Sequence, residues 1–133
     1  MIKTLIAVVD DDAAVREATR RLLESLDCRV EAFGSAEHFL MQGNLNETLC
    51  LVLDLRLPGM SGLELQNYLA RMSRSIPIIF VTGLIEGTLR ERALRAGAVA
   101  FLHKPVLDQN LLLAVRAALR LHGISWTGDR QPQ

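Results

Sequence analysis

The stretch Cys50-Leu51-Val52-Leu53-Asp54-Leu55-Arg56-Leu57-Pro58-Gly59-Met60-Ser61 decides the architecture. Residues 50–53 form a short unbroken apolar run, as in a strand buried on both faces, and the Pro-Gly pair beyond it marks a turn. Ser61 then reads as the cap of a helix. Strand, turn and capped helix in that order make one βα unit of a parallel sheet.

The same unit recurs on either side. Short apolar runs at Leu5–Val9, Arg29–Phe33, 76–81 and 99–102 alternate with longer segments of helical period. Val15, Ala18, Leu22, Leu23 and Leu26 mark one stripe of a first helix, with Arg16, Glu17, Arg20, Arg21 and Glu24 facing out. Ser35 caps a second helix, a fourth spans residues 87–96 and stops at Gly97, and a fifth runs from Asp108 to fade by Gly123. Five strands, each followed by a helix, predict a doubly wound α/β fold over residues 1–122. Residues 123–133 are expected to be a polar tail or linker stub, in which Trp126 stands out. In such folds ligands sit beyond the carboxyl ends of the strands.

Bulk properties narrow the function. The 133 residues suit one domain, and 50% apolar with 23% charged residues excludes a disordered chain. Lys plus Arg equals Asp plus Glu at 15 each, so no net field draws the chain to nucleic acid or an anionic membrane. Cys28 and Cys50 lie far apart without metal-ligand spacing and read as reduced thiols. No apolar run is long enough to span a bilayer, and the N-terminus leads straight into a strand, so a cytoplasmic location is the default expectation.

The chemistry collects at strand ends. Asp10, Asp11 and Asp12 follow the first strand, Asp54 follows the third, Thr82 closes the fourth, and Lys104-Pro105 follows the fifth. Converging carboxylates repel one another unless a hard cation with oxygen ligands neutralises them, and Mg²⁺ suits few carboxylates plus water and phosphate. A carboxylate nucleophile, a metal, a hydroxyl and a Lys are the parts needed to form an acyl phosphate. Singly, each residue has a plainer reading: Asp12 as a helix cap, Thr82 as a loop residue, Lys104 as a solvated charge, Phe101 as core, His103 as surface. Their coincidence at four strand ends favours a site.

From Ile2 to about residue 121 the chain resembles the response-regulator receiver family. It is closest to the FixJ-like branch through Ser35-Ala-Glu-His-Phe-Leu, Asp54-Leu-Arg-Leu-Pro-Gly-Met-Ser-Gly and Ala96-Gly-Ala-Val-Ala-Phe-Leu-His-Lys-Pro. The resemblance implies strand order 2-1-3-4-5 and Asp54 as phosphoacceptor. It also implies Mg²⁺, with Mn²⁺ as a substitute, held by Asp10, Asp11, Asp54 and the Arg56 carbonyl. Thr82 and Phe101 would be switch residues, Lys104 the phosphate partner and Lys104-Pro105 a cis peptide. The implied donor is a sensor histidine kinase, and the implied readout is the surface of the fourth helix, fifth strand and fifth helix. Apolar residues around most of the fifth helix suit a homodimer or downstream protein on that surface, with the plainer alternative that they cover the sheet.

Three departures stand out. Nothing after Gly123 could form the helix-turn-helix domain common in the branch, so the chain is expected either to stand alone or to be part of a longer protein, without reading DNA itself. Leu84-Ile85-Glu86 is more apolar than usual near the site. Asp10, Asp12, Thr82 and Lys104 also mimic a haloacid-dehalogenase-like phosphatase with Asp10 as nucleophile, although Ala14, the lack of room for a cap and the missing acidic pair after Lys104 weigh against it. A receiver-shaped interaction module that is never phosphorylated is the other alternative, and retention of every site residue weighs against that.

Overall fold

The computed structural model describes residues 4–83 and 87–124, so the expectations for residues 84–86 and Trp126 lie outside the described residues. The chain alternates β1 (Leu5–Val9), α1 (Ala13–Glu24), β2 (Arg29–Phe33), α2 (Ala36–Gln42), β3 (Thr48–Asp54), α3 (Gly62–Arg71), β4 (Ile78–Thr82), α4 (Gly87–Arg95), β5 (Ala100–His103) and α5 (Asp108–Arg120). All pairings are parallel and the sheet order is β2-β1-β3-β4-β5, the doubly wound arrangement expected from the sequence.

Alternation along each strand builds two cores at once, because successive side chains leave a strand on opposite faces. Ile6, Val8, Cys50, Val52, Ile79 and Val81 pack with Leu23 of α1 and with Leu111, Val115 and Leu119 of α5. Ala7, Val9, Leu51, Leu53, Ile78 and Phe80 pack on the other face with Phe39, Leu65, Leu69 and Ala93 of α2, α3 and α4. A fully buried Leu, Ile, Val or Phe contributes roughly 1.5–3 kcal/mol, so both faces of the sheet are firmly held.

The helix starts follow local chemistry. The Asp12 side chain accepts from the N–H groups of Ala14 and Val15, and Ser35 accepts from His38. Ser61 and Glu64 form a reciprocal capping box at α3. Strand ends matched expectation better than strand starts. β3 begins two residues early, at Thr48, whose N–H and hydroxyl both donate to the Asn44 carbonyl. β4 begins at Ile78, just after Pro77, which has no N–H for the ladder. Asp54 is the last residue of β3, paired with Val81, rather than the first residue beyond it.

The apolar excess on α5 is smaller than its sequence suggested. Leu111, Ala114, Val115, Ala118 and Leu119 are buried against the sheet and Leu112 packs partly on the same core. Leu113 and Leu121 remain exposed, as does Leu107 just before the helix.

Candidate functional site

The register brings the ends of four strands to one rim. Val9 pairs with Leu53, Asp54 with Val81, and Thr82 with His103, so Asp10, Asp54, Thr82 and Lys104 project from neighbouring positions. Asp10 and Asp54 are buried at 2% and 5% exposure, while Asp11 is exposed. One carboxylate oxygen from each of Asp10, Asp11 and Asp54 lies within 4.8 Å of the others.

Lys104 supplies the counter-charge. Its ammonium is 2.9 Å from Asp10 Oδ2 and 2.9 Å from Asp54 Oδ2. The other oxygens are tied to the main chain: the Asp12 N–H donates to Asp10 Oδ1 at 2.9 Å and the Arg56 N–H to Asp54 Oδ1 at 3.0 Å. Burial pushes the Asp54 carboxyl above its ordinary range, opposed by the Lys104 and Arg56 hydrogen bonds and reinforced by the neighbouring charge of Asp10. Burial pulls Lys104 down, but its hydrogen bonds to Asp10 and Asp54 outweigh that and leave it raised. Three carboxylates against one ammonium leave an excess of hard oxygen donors, a set that fits a divalent cation such as Mg²⁺.

The remaining predicted residues surround this cluster. Thr82 is buried, and its carbonyl accepts the Lys104 N–H at 2.8 Å. Phe101 is half-buried with its ring 6.2 Å from that of Phe80, and the Lys104–Pro105 peptide is cis. The Arg56 side chain is exposed, and its main chain lies beside Asp54. An apolar cleft of about 410 Å³ between α1 and α5, lined by Val15, Ala18, Leu22, Val106 and Leu111, opens beside Asp10 and Lys104.

Asp12 is not part of the cluster, because its carboxylate is occupied in capping α1. That removes the second acid of the phosphatase-like pattern. His38 packs edge-on against Phe33 with ring centres 5.2 Å apart and is not among the clustered ligand groups.

Two residues near the site carried no signal in the sequence. Arg16, expected to face solvent, instead donates from Nη1 to the Asp10 carbonyl at 2.7 Å. Glu37 of α2 accepts the Met60 N–H at 2.8 Å and so holds the loop after Asp54. Both are contacts from a polar side chain to a main-chain atom, which hydrophobic periodicity cannot reveal.

The family described as "Response regulator receiver domain" matches residues 6–116. Among curated proteins, Nodulation protein W of Bradyrhizobium diazoefficiens is 48% identical over 116 residues, covering 87% of this chain and 51% of that protein. Response regulator protein TodT of Pseudomonas putida is 44% identical over 118 residues, covering 89% of this chain and 52% of the relative. The chain thus spans about half the length of these curated relatives. The crystal structure of FixJ-N superposes with a TM-score of 0.79 at 34% identity, covering 90% of this chain and 96% of that one.

Proposed function

Because the chain belongs to the response-regulator receiver family of two-component signalling, we propose that Asp54 accepts a phosphoryl group from a phosphohistidine of a sensor kinase. The observation that carries this is the buried Asp54 carboxylate at the end of the central strand, with one oxygen held by the Arg56 N–H and the other facing Lys104. Asp10, Asp11, Asp54 and the Arg56 carbonyl would hold Mg²⁺, or Mn²⁺ in its place. Bound there, the cation supplies positive charge against both the carboxylates and the phosphoryl oxygens.

An Asp54 carboxylate oxygen attacks phosphorus in line. The new P–O bond forms as the P–N bond to imidazole breaks, and the bonding electrons stay with the leaving nitrogen. Lys104 neutralises oxygen charge on the transferred group. The Thr82 hydroxyl turns toward the phosphoryl oxygens, and Phe101 moves into the space released.

The consequence is a local charge change that biases the surface of α4, β5 and α5. Exposed Leu94, Leu107, Leu113 and Leu121 support a homodimer or a downstream protein there. The α1–α5 cleft beside Asp10 and Lys104 suits apolar side chains of the kinase. In this reading the chain is a switch in the cytoplasm whose only chemistry is its own phosphorylation and dephosphorylation. The receiver unit ends near residue 122, and residues 123–133 act as tail or linker.

Incubation with acetyl phosphate and Mg²⁺ should add one phosphoryl group by mass, and Asp54→Ala should abolish it. Phosphate mapped to Asp10 would instead restore the phosphatase reading.

A further inference from the structure

Arg16 has no part in the chemistry above, yet it touches the acidic loop directly. Its guanidinium donates to the Asp10 carbonyl at 2.7 Å, a short charge-assisted bond. It also lies against the turn between β2 and α2, 3.4 Å from where a Cβ on Gly34 would stand. Ordering a long Arg side chain costs up to about 2 kcal/mol of rotamer entropy, so a half-buried Arg in this position needs a specific partner.

The Asp10 carbonyl oxygen lies in the same rigid plane as the Asp11 nitrogen. Fixing that oxygen fixes the hinge between the two acidic residues. On its other sides Asp10 is already held: its N–H donates to the Phe33 carbonyl at 3.1 Å, Oδ1 accepts from Asp12 N–H at 2.9 Å, and Oδ2 faces Lys104 at 2.9 Å. Asp11 is exposed, and among the described residues no hydrogen bond or ion pair to its carboxylate is seen. Arg16 is therefore the side chain that ties the peptide between Asp10 and Asp11 to the helix behind it.

We propose that Arg16 is a positioning residue, which sets the spacing of the Asp10 and Asp11 carboxylates for a divalent cation through its bond to the Asp10 carbonyl. This rests on the reading that Asp10, Asp11 and Asp54 hold such a cation. The sign of the effect separates positioning from simple electrostatics. Removing a nearby positive charge would by itself tighten cation binding, whereas loss of the clamp weakens it.

The test titrates the whole chain with Mn²⁺, following free Mn²⁺ by electron paramagnetic resonance, for wild type, Arg16→Met and Arg16→Lys. Metal-free thermal unfolding is measured beside it. Outer partners of metal ligands typically change affinity by about 10–100-fold, so Arg16→Met should bind at least about tenfold more weakly. Arg16→Lys keeps one donor and should recover part of the loss. Affinity of the Met variant within about twofold of wild type, or tighter, overturns the proposal, even if the unfolding midpoint falls. Should Arg16→Met fail to fold, the Lys variant decides alone: weaker binding at a wild-type unfolding midpoint supports the role, and unchanged affinity overturns it. Wild type that binds no Mn²⁺ removes the cation reading and the Arg16 role with it, a result distinct from a loss confined to the variants.

Discussion

Lys104 Nζ meets Asp54 Oδ2 at 2.9 Å across a separation of 50 residues, and the same ammonium reaches Asp10 at the same distance. One cation therefore compensates two buried carboxylates. In Lys104→Met these acids lose their counter-charge, and metal-free stability should fall by about 2 kcal/mol, a buried-pair cost reduced for partial exposure. Added Mg²⁺ should recover much of that loss. Urea denaturation with and without the ion measures both, and a metal-free midpoint equal to wild type would contradict the compensating role.

Asp54 gives the opposite sign. Burial raises its folded pKa above the unfolded value, so the ionised form costs stability at neutral pH, and this cost disappears as pH falls and both states take up the proton. Asp54→Asn should therefore be more stable than wild type at pH 7 without metal, by about 1 kcal/mol after allowing for solvent screening, or roughly 3–5 °C. The gap should close below the ordinary carboxylate range. Thermal melts across pH would show it, and a destabilised Asn variant at pH 7 would contradict it.

Glu37 stabilises the loop after Asp54 from outside the site. The Met60 N–H holds its carboxyl below the ordinary range, so the bond is intact above the unfolded pKa and is lost as pH falls through the lowered one. Glu37→Ala should speed amide exchange at Met60 by about tenfold while leaving core amides unchanged, and Glu37→Gln should restore protection. Gly59 sits in this notch at φ +74°, and an added Cβ would stand 2.5 Å from Glu37 Oε2. Gly59→Ala should thus show the same faster exchange at Met60.

At Gly62 the constraint is steric. A Cβ would come within 2.5 Å of the Asp54 carbonyl oxygen, 2.9 Å of Leu55 Cα and 3.0 Å of a Phe80 ring carbon. Backbone cannot yield as a side-chain tip can, so Gly62→Ala should cost about 1–3 kcal/mol. It should also slow phosphorylation by acetyl phosphate, because the residue displaced is Asp54 itself. Chemical denaturation and phosphorylation kinetics on the same preparation check both effects.

The sequence made most of this arrangement legible through local signals. Short apolar or alternating runs located the strands, Asp12, Ser35 and Ser61 marked the helix starts, and the acids, Thr82 and Lys104 fell at strand ends. Strand starts were harder to place. Thr48 enters β3 by pairing with Leu5 of β1, and the apolar residue Ile76 precedes Pro77, which has no N–H to donate and meets the ladder only through its carbonyl, the acceptor of the Leu51 N–H. Residues that brace the site were hidden for a different reason. Glu37 and Gln66, whose amide donates to the Ala93 carbonyl at 3.0 Å, act on main-chain atoms brought near only by the completed fold, and Arg16 reaches back along the chain to the Asp10 carbonyl at the end of β1. On a helical wheel, Arg16 looks like any solvated cation.

The order of strands also governs when the site can exist. Asp10 precedes its charge partner Lys104 by the rest of the sheet, because Lys104 follows β5, an edge strand and the last of the five in chain order. A nascent chain that has paired β1 with β3 already holds two acids close together without the ammonium between them. The acidic pair thus stays uncompensated until β5 docks and brings the Lys104 ammonium to both carboxylates.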